Sequence, residues 1–325
     1  VLYTIKLSNE VRGFGEAAIA SHITGETVER TLSNLEICSK KISGRELAEF
    51  PDIADGFKGI FDHNKSALAA LEMALLDALT QVKGMPLWRA FGTKLRRLRT
   101  DMTVVLGNVP EAETAAREIL RRGIRSLKIK IGRDFYEDLQ RVIAVAKIAK
   151  KTSIYLDANQ GFTAAQTLKF LKELKAFKIN PVLIEQPVPK KDWEGLKKVT
   201  RESKALVCAD ESVSSIEEAK RLIKEKAADM INIKFMKTGI LESYEIAKLA
   251  KKSGIRLMIG TMMETPLAVT AAAHFAAGLG GFDFIDLDAP FFMAKNITRG
   301  SYVCPEGLYD LRKVKAGIGV RPVQP

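Results

Sequence analysis

Short apolar runs recur at a steady interval along the last two thirds of the chain. Eight of them are rich in β-branched residues and begin between Thr103 and Asp283, about 26 residues apart. A strand, a helix and their connections occupy about that length, so the spacing predicts repeated βα units. The predicted strands are TVVL (103–106), LKIKI (127–131), SIYLD (153–157), VLIE (182–185), LVCAD (206–210), MINIK (230–234), LMIG (257–260) and DFIDL (283–287).

Helical patterns lie between these runs, and Ser215 with Glu218 indicates a capping box at the start of one of them. Strands alternating with helices favour a (β/α)8-type barrel, the α/β architecture also called TIM-like. An open doubly wound sheet is the alternative, but no GxGxxG motif follows any of the strands. The segments with apolar residues at helical spacing are 111–122, 137–151, 164–177 and 215–227.

The first part of the chain does not share this repeat. Its pattern predicts a β-hairpin at 1–18 and a long helix rich in Ala and Leu at 64–84, which ends at a Gly-Pro signal. Val1 stands inside a strand-like pattern, so we expect the natural start to lie upstream, and a targeting segment there stays open. The predicted division is an α+β capping domain at 1–98, a barrel domain at 99–290 and a C-terminal tail at 291–325 that returns to the cap.

Composition and charge limit the class of protein. The chain has 325 residues, 46% hydrophobic and 28% charged, which excludes a disordered chain, a collagen-like fibre and a disulfide scaffold. Lys and Arg outnumber Asp and Glu by 51 to 39, a formal net charge of +12. The lysines stand in helix-like runs with glutamates between them, as in 169–178, which indicates solvated helix faces rather than a nucleic-acid partner.

Cysteines and apolar runs indicate the compartment. The longest apolar stretch, 267–279, is interrupted by Thr270 and His274, so we expect a soluble protein without a membrane partner. The cysteines are isolated and lack CxxC spacing, which predicts a reducing, cytoplasmic location and no structural zinc. They are Cys38, Cys208 and Cys304.

Three consecutive predicted strands end in a carboxylate: Asp157, Glu185 and Asp210. Active sites of such barrels lie at the carboxyl ends of the strands, and neighbouring strands there are about 5 Å apart. Three like charges that close repel one another unless a cation lies between them, and an all-oxygen set suits Mg²⁺ or Mn²⁺. The alternative is that single aspartates cap the following loops. Three in succession favour the metal site.

Lysines interrupt two strands that should be apolar. Lys128 and Lys130 project to the same face of one strand, and Lys234 ends another, with Asn232 on its face. Edge strands whose lysines reach solvent are the alternative, but a closed barrel has no edges. Lysines on opposite sides of a metal suit proton transfer at a carbon next to a carboxylate. A lysine base needs a lowered pKa, which we expect the like charge of Lys128 and the metal to supply at Lys130.

These residues, in this order, resemble the muconate-lactonizing-enzyme subgroup of the enolase superfamily. That resemblance implies a (β/α)7β barrel with a capping domain. Asp157, Glu185 and Asp210 would bind Mg²⁺, Lys130 and Lys234 would act as acid and base, and Lys128 would be their electrostatic neighbour. Asn159, Asn232 and Glu264 would lie beside this set. The matching segments are GFGEAA (13–18), ITGET (23–27), KIK (128–130), DANQG (157–161), EQP (185–187), DES (210–212) and NIK (232–234).

The motif DLDAP (286–290) is similar to the Asp-x-Asp motif of the dipeptide epimerases within that subgroup. The resemblance implies that Asp286 and Asp288 hold the free α-ammonium group of a dipeptide, with Thr103 near the substrate. We therefore expect inversion of the α-carbon of the C-terminal residue of L-Ala-Xaa dipeptides, by two-base proton transfer through a metal-stabilised enediolate. Asp288 could instead be only a turn residue before Pro290.

Several alternatives stay open at this point. A muconate-type cycloisomerase, an N-acylamino-acid racemase or an o-succinylbenzoate synthase would share most of the motifs, and a catalytically inactive barrel could bind a peptide or nucleic acid. The second residue of the dipeptide could be Glu, as in murein peptides, or hydrophobic or cationic. The first cap strand and a specificity loop of the family are expected upstream of Val1. A homo-oligomer is possible.

Overall fold

The capping domain consists of a hairpin packed on helices. The computed structural model describes residues 1–150, 152–300 and 302–323. Strands β1 and β2 pair antiparallel, as the sequence predicts, and short 3-10 turns cover 47–49, 58–61 and 87–90. The elements up to the barrel are β1 (Leu2–Lys6), β2 (Arg12–Glu16), α1 (Ser21–Thr24), α2 (Val28–Ile42), α3 (Phe50–Asp55), α4 (Lys65–Val82) and β3 (Leu98–Arg99).

The glycines of the GFGEAA segment have a packing role. A methyl group at Gly13 would lie 2.1 Å from the Ala74 carbonyl oxygen, and one at Gly15 would lie 1.9 Å from that of Ala70. Both carbonyls belong to α4, so β2 lies directly on the backbone of this helix, where a side chain cannot fit. α4 is buried along almost its whole length, which explains why Ala and Leu predominate in it.

Eight parallel strands, in the order of the sequence, form the barrel sheet. Each pairs with its neighbours along the chain, and Asp101 closes the circle by donating its N–H to the Ile285 carbonyl at 2.9 Å. Leu287 N–H also donates to Thr100 Oγ1 at 2.8 Å. The predicted barrel is therefore confirmed. Its strands are β4 (Met102–Val104), β5 (Ser126–Lys130), β6 (Ser153–Asp157), β7 (Leu183–Glu185), β8 (Leu206–Ala209), β9 (Met230–Ile233), β10 (Arg256–Gly260) and β11 (Phe284–Asp286).

Helices cover the outside of the barrel. The capping box predicted at Ser215 is only half formed, because the Ser215 hydroxyl accepts from Glu218 N–H while the Glu218 carboxylate accepts from Ser214 N–H at 2.7 Å. The helices are α5 (Val109–Arg121), α6 (Phe135–Ile148), α7 (Ala164–Ala176), α8 (Trp193–Glu202), α9 (Ile216–Glu225), α10 (Phe235–Thr238), α11 (Ile240–Lys252) and α12 (Pro266–Leu279). No helix in the described part of the chain is long and apolar enough to cross a membrane.

The C-terminal segment returns to both parts of the molecule. Ile318 N–H donates to the Asp77 carboxylate on α4 at 2.7 Å, and its carbonyl lies 3.1 Å from His274 Nε2 on α12. The segment contains β12 (Thr298–Arg299), β13 (Leu308–Tyr309), which pairs with β3, and β14 (Arg321–Pro322), which pairs with β12. The division of the chain after residues 98 and 290 stays a prediction.

Two cap glutamates bind the first turns of barrel helices. Glu16 on β2 accepts hydrogen bonds from the N–H groups of Thr265 (2.8 Å) and Ala268 (3.3 Å), at the start of α12. Glu72 on α4 accepts from Ile240 and Leu241, the first two residues of α11. The first N–H groups of a helix lack partners within it and carry a partial positive charge. These carboxylates therefore join the cap to the barrel.

Candidate active site

The predicted site residues lie at the carboxyl ends of adjacent barrel strands. Lys130 stands opposite Asp157 in the pairing of β5 with β6, and Asp157 stands opposite Glu185 in the pairing of β6 with β7. Asp210 directly follows β8. The three carboxylates are at most 2% exposed. Parallel pairing in register thus brings together residues that are 25 or more positions apart in the chain.

The ammonium group of Lys128 lies among three carboxylates. Its Nζ is 2.8 Å from Asp157 Oδ2, 2.7 Å from Glu185 Oε2 and 2.7 Å from Asp286 Oδ2. Burial disfavours the charged form of this lysine, but the three carboxylates outweigh burial and raise its pKa. Lys128 is therefore the internal counter-ion of the site.

The pKa values of the predicted metal ligands are strongly shifted by their surroundings. Burial alone would raise the pKa of Asp157, but Lys128 and Lys130 bring it well below its usual range. Lys234 and Lys237 have the same effect on the pKa of Asp210. Glu185 differs, because burial and the charge of Asp157 raise its pKa to about 7.

The donor set fits a hard divalent cation. Asp157, Glu185 and Asp210 offer buried carboxylate oxygens from three consecutive strands, the ligand type that Mg²⁺ prefers. A cationic nitrogen already lies within 2.8 Å of both Asp157 and Glu185, so these side chains converge on a point that favours positive charge. Asn232 supports this geometry by donating from Nδ2 to Glu185 Oε1 at 2.6 Å.

The two predicted acid–base lysines have different surroundings. Lys130 is partly exposed, and its Nζ donates to Asp157 Oδ2 at 2.7 Å and to Asn159 Oδ1 at 2.5 Å. Lys234 is buried, and its Nζ donates to Asp210 Oδ2 at 2.7 Å. Burial of Lys234 acts to lower its pKa, but Asp210 and Glu185 raise it further, so the net shift is upward. The carboxylates around the Lys234 ammonium group therefore favour its charged form.

The Asp-x-Asp pair lies beside the first barrel strand. Asp286 Oδ2 accepts from Lys128 Nζ, and Asp288 Oδ2 accepts from the backbone N–H of Thr103 at 2.7 Å. Burial, together with the charge of Asp286, raises the pKa of Asp288 to about 6. The structure thus brings Thr103 and Asp288 together, through the Thr103 backbone.

Asp101 joins this pair and has no counterpart among the residues predicted from the sequence. One of its carboxylate oxygens lies within 4.8 Å of an oxygen of Asp286 and of Asp288, and neither Asp101 oxygen accepts a hydrogen bond from another described residue. Burial and the two neighbouring carboxylates raise the pKa of Asp101 well above its ordinary value. An aspartate directly before an apolar strand is a signal that the sequence does contain.

Glu264 and Asn159 occupy opposite sides of the site. Glu264 Oε1 accepts from Met262 N–H at 2.8 Å, and burial together with Glu16 raises the pKa of Glu264 to about 8. Asn159 binds Lys130 and has a positive φ of 39°, as does Gln186 with 34°. Positive φ at residues other than glycine is strained and is concentrated at functional sites.

Lys237 and Gln186 complete the surroundings of Asp210. Lys237 Nζ lies 2.7 Å from Asp210 Oδ1 and donates to the Asn232 carbonyl at 2.9 Å. Gln186 Oε1 accepts from Asp210 N–H at 2.9 Å, and its amide nitrogen donates to Ser212 Oγ at 2.8 Å. Neither residue was assigned a role from the sequence. Lys237 follows Lys234 by three positions, one helical turn further along, which is the only sequence signal for it.

A groove of about 1640 Å³ lies beside this centre. Cap residues 23–26 and one face of α11 line it, and Lys237 and Glu211, the residue after Asp210, lie on its lining toward the site. Most of the groove therefore runs outside the barrel, and the chemistry concentrates at the strand ends.

Comparison with known proteins agrees with this architecture. Residues 1–92 match the mandelate racemase/muconate lactonizing enzyme N-terminal domain, and residues 111–324 match the enolase C-terminal domain-like family. The hydrophobic dipeptide epimerase of Citrifermentans bemidjiense is 49% identical, over 96% of this chain and 87% of its own length. The aromatic dipeptide epimerase of Herpetosiphon aurantiacus is 39% identical, over 98% and 90%.

A solved structure shows the same fold. The Enterococcus faecalis dipeptide epimerase complexed with Mg and the dipeptide L-Leu-L-Tyr superposes with a TM-score of 0.92, at 33% identity over 98% of this chain and 90% of its own. Both domains, their order and the whole barrel are thus shared with proteins of one group. The chain belongs to the mandelate racemase/muconate lactonizing enzyme family of the enolase superfamily.

Proposed function

We propose that this protein is a Mg²⁺-dependent dipeptide epimerase that inverts the α-carbon of the C-terminal residue. The observation that carries the proposal is the placement of two lysines, Lys130 and Lys234, on β5 and directly after β9, with carboxylates between them. The two similar relatives described above are named as dipeptide epimerases, which supports this reaction. The enzyme would be an isomerase.

The lysines would move the proton. One of them would remove the α-proton from one face of the substrate, and the other would deliver a proton to the opposite face. Asp157, Glu185 and Asp210 would hold Mg²⁺, or Mn²⁺ as an alternative with the same ligand preference. Bound metal would offset the negative charge that develops on the substrate carboxylate as the proton leaves. Lys128 would hold Asp157, Glu185 and Asp286 in place through its ion pairs.

The Asp286–Asp288 pair favours a substrate with a free amine. Lys128 already pairs with Asp286, so the carboxylate of Asp288 is the one of the pair that would attract an ammonium group and repel an anionic one. An N-acylated amino acid or a muconate has no ammonium group to place there. Free dipeptides therefore suit this end of the site better than the substrates of the alternative enzymes.

Hydrophobic or aromatic side chains are the proposed substrate class. The two relatives described above act, by their names, on hydrophobic and aromatic dipeptides. A role on murein peptides would instead require a Glu side chain. We place the reaction in the cytoplasm, on small dipeptides rather than nucleic acid or membrane. The three cysteines of the protein are free, as expected of a reducing compartment. A homo-oligomer is compatible with this function.

Isotope exchange tests this function directly. The full chain would be incubated with Mg²⁺ and a library of L-Ala-L-Xaa dipeptides in D₂O, and mass spectrometry would find those that gain a deuteron at the C-terminal α-carbon. We expect inversion with deuterium uptake for hydrophobic and aromatic Xaa, abolished by EDTA. Uptake only with Glu would redirect the substrate class, and no uptake from any dipeptide would overturn the proposal.

Three variants assign the roles in that experiment. Lys130→Ala and Lys234→Ala should each abolish inversion, because each removes the proton donor or acceptor of one face. Lys172→Ala, which changes an exposed lysine on α7, should leave inversion at the wild-type rate. Inversion that survives in either site variant would exclude the two-base mechanism.

A further inference from the structure

Gly260 lies at the carboxyl end of β10, beside the site. It stands opposite Asp286 in the pairing of β10 with β11. A methyl group on Gly260 would lie 2.7 Å from Asn232 Oδ1, 2.8 Å from Asn232 Nδ2 and 3.0 Å from Lys234 Cε. All three distances are shorter than ordinary van der Waals contact, which is about 3.5–4.0 Å between carbon atoms.

The backbone does not account for a glycine at this position. Thirteen other glycines have positive φ, and Gly260 is not among them, so any L-residue could adopt its backbone conformation. The space that a methyl group would fill is instead occupied by the ends of two functional side chains. Gly260 therefore differs from Gly13 and Gly15, where a methyl group would meet backbone.

Those two side chains are fixed by the proposed metal ligands. Lys234 Nζ donates to Asp210 Oδ2 at 2.7 Å, and Asn232 Nδ2 donates to Glu185 Oε1 at 2.6 Å. Both residues are buried and hydrogen-bonded, so their ends can move only by lengthening or breaking these hydrogen bonds. A methyl group at Gly260 would push these side-chain ends without displacing a strand. The fold should therefore tolerate the substitution.

We propose that Gly260 is a positioning residue for Lys234 and has no such role for Lys130, the other acid–base lysine. Lys130 extends from β5 and is held by Asp157 and Asn159. The three atoms nearest to the methyl group belong to none of these residues. This inference rests on the proposed function, because it concerns one of its two bases. It assigns Gly260 an effect on one face of the substrate.

The consequence is an enzyme with one working base. In Gly260→Ala, Lys130 can still remove the α-proton of one epimer and return a deuteron to the same face, because its own contacts are unchanged. Proton delivery to the opposite face of the α-carbon, or proton removal from that face, requires Lys234 to keep its position. A displacement of about 1 Å can reduce a catalytic rate about 100-fold. Inversion should fall by that factor, while exchange with retention continues for one epimer.

The experiment compares both epimers of an active dipeptide in D₂O by NMR, for the wild type, Gly260→Ala, Lys130→Ala and Lys234→Ala. We expect Gly260→Ala to lose exchange in the same epimer as Lys234→Ala, and to retain exchange within a few-fold of wild type in the other epimer. Gly59→Ala is the matched control, since a methyl group there meets nothing within 4 Å and the backbone is not left-handed. It should behave as the wild type does.

Three results would overturn the inference. An equal loss for both epimers would show that the methyl group acts through Asn232 and the shared metal ligands, since those serve both directions. Unchanged exchange and inversion would show that Lys234 is not displaced. A crystal structure of Gly260→Ala tests the displacement independently of turnover, because Lys234 Nζ still within about 3 Å of Asp210 Oδ2 would contradict it.

Failure of the proposed function has a different signature. In that case the wild type itself exchanges neither epimer of any dipeptide, and the Lys130→Ala and Lys234→Ala variants add no loss. The crystal structures of the wild type and Gly260→Ala then still decide whether the methyl group moves Lys234.

Discussion

The two aspartates at the end of the last barrel strand, Asp286 and Asp288, have different partners. Asp286 is bound to the Lys128 ammonium group at 2.7 Å, so much of its charge is already balanced. Asp288 accepts a neutral N–H from Thr103. Its burial and the nearby charge of Asp286 raise its pKa to about 6. Of the pair, Asp288 is the one whose negative charge is left for a substrate ammonium group.

Asp288→Asn should therefore weaken the binding of free-amine dipeptides. The amide oxygen can still accept from Thr103 N–H, but the charge is lost, and a hydrogen bond to a charged group contributes about 1.5–3 kcal/mol. We expect KM to rise about 10- to 100-fold with a smaller change in kcat. In the wild type, kcat/KM should also fall as the pH decreases through about 6, because protonation removes the same charge. Steady-state kinetics between about pH 5 and pH 8 measure both effects.

The control is Glu194→Gln, which neutralises an exposed carboxylate on α8. It should keep the wild-type KM and pH profile. If Asp288→Asn reduced turnover of a dipeptide and of its N-acetylated form equally, the ammonium-binding role would be excluded.

Sequence patterns reveal residues that interrupt a regular element, and miss residues whose role depends on tertiary contacts. Lys128, Lys130 and the carboxylates at the strand ends contradict the apolar composition of barrel strands, so their placement could be predicted. Lys237 looks like an ordinary helix lysine in the sequence, and only the fold buries it against Asp210. In the sequence, Gly260 is indistinguishable from a glycine that forms a turn at the end of a strand.

At the scale of the elements, the barrel strands were predicted to within about two residues at each end. Their apolar runs are buried on both faces, which leaves little ambiguity in the pattern. Among the longer helices, α2, α8, α11 and α12 were not singled out. Gly239, with a φ of 81°, separates α11 from the short α10. The contacts of Glu16 and Glu72 with barrel helices join residues more than 160 positions apart, which no local pattern contains.

Glu72→Gln tests the connection between α4 and α11. Burial of Glu72 outweighs the N–H groups of Ile240 and Leu241 and raises its pKa from 4.5 to about 7. A raised pKa contributes stability that is complete below about pH 4.5 and is lost as the pH rises through about 7. Relative to Glu72→Gln, the wild type should lose on the order of 3 kcal/mol of unfolding free energy between about pH 4.5 and pH 9. Denaturant titrations across this range measure the difference.

The Glu194→Gln variant again serves as the control and should follow the wild type at every pH, since its carboxylate is exposed. A constant difference between the wild type and Glu72→Gln across the range would show that Glu72 keeps one protonation state. The predicted loss of stability would then be wrong.

For the whole molecule, the internal ion pairs of the site determine what metal removal does. Lys128 balances Asp157, Glu185 and Asp286, while Lys234 and Lys237 balance Asp210. Breaking a buried ion pair by removing one partner destabilises a protein by about 3–5 kcal/mol, because the other charge is left unbalanced. Because the lysines balance the buried carboxylates, the protein without bound metal should not be destabilised in this way.

EDTA should therefore abolish activity and leave the fold intact. We expect an unchanged circular dichroism spectrum and cooperative unfolding in EDTA, with about 2.7 kcal/mol of added stability when Mg²⁺ exceeds its Kd a hundredfold. Lys128→Met should lose on the order of 3–5 kcal/mol in EDTA and recover more of it with Mg²⁺ than the wild type gains. Lys172→Met, on exposed α7 surface, is the control. Unfolding of the wild type by EDTA at neutral pH would contradict the expectation.

The lysine cluster also has a consequence for the protein in its cell. Because positive side chains balance the carboxylates that would bind the ion, the polypeptide can be synthesised and stored while divalent cations are scarce. If these carboxylates bind Mg²⁺ as proposed, activity would follow the metal supply without new synthesis of the protein. Because these lysines stabilise the metal-free site, the supply of the ion would change the rate of the reaction but not the lifetime of the protein.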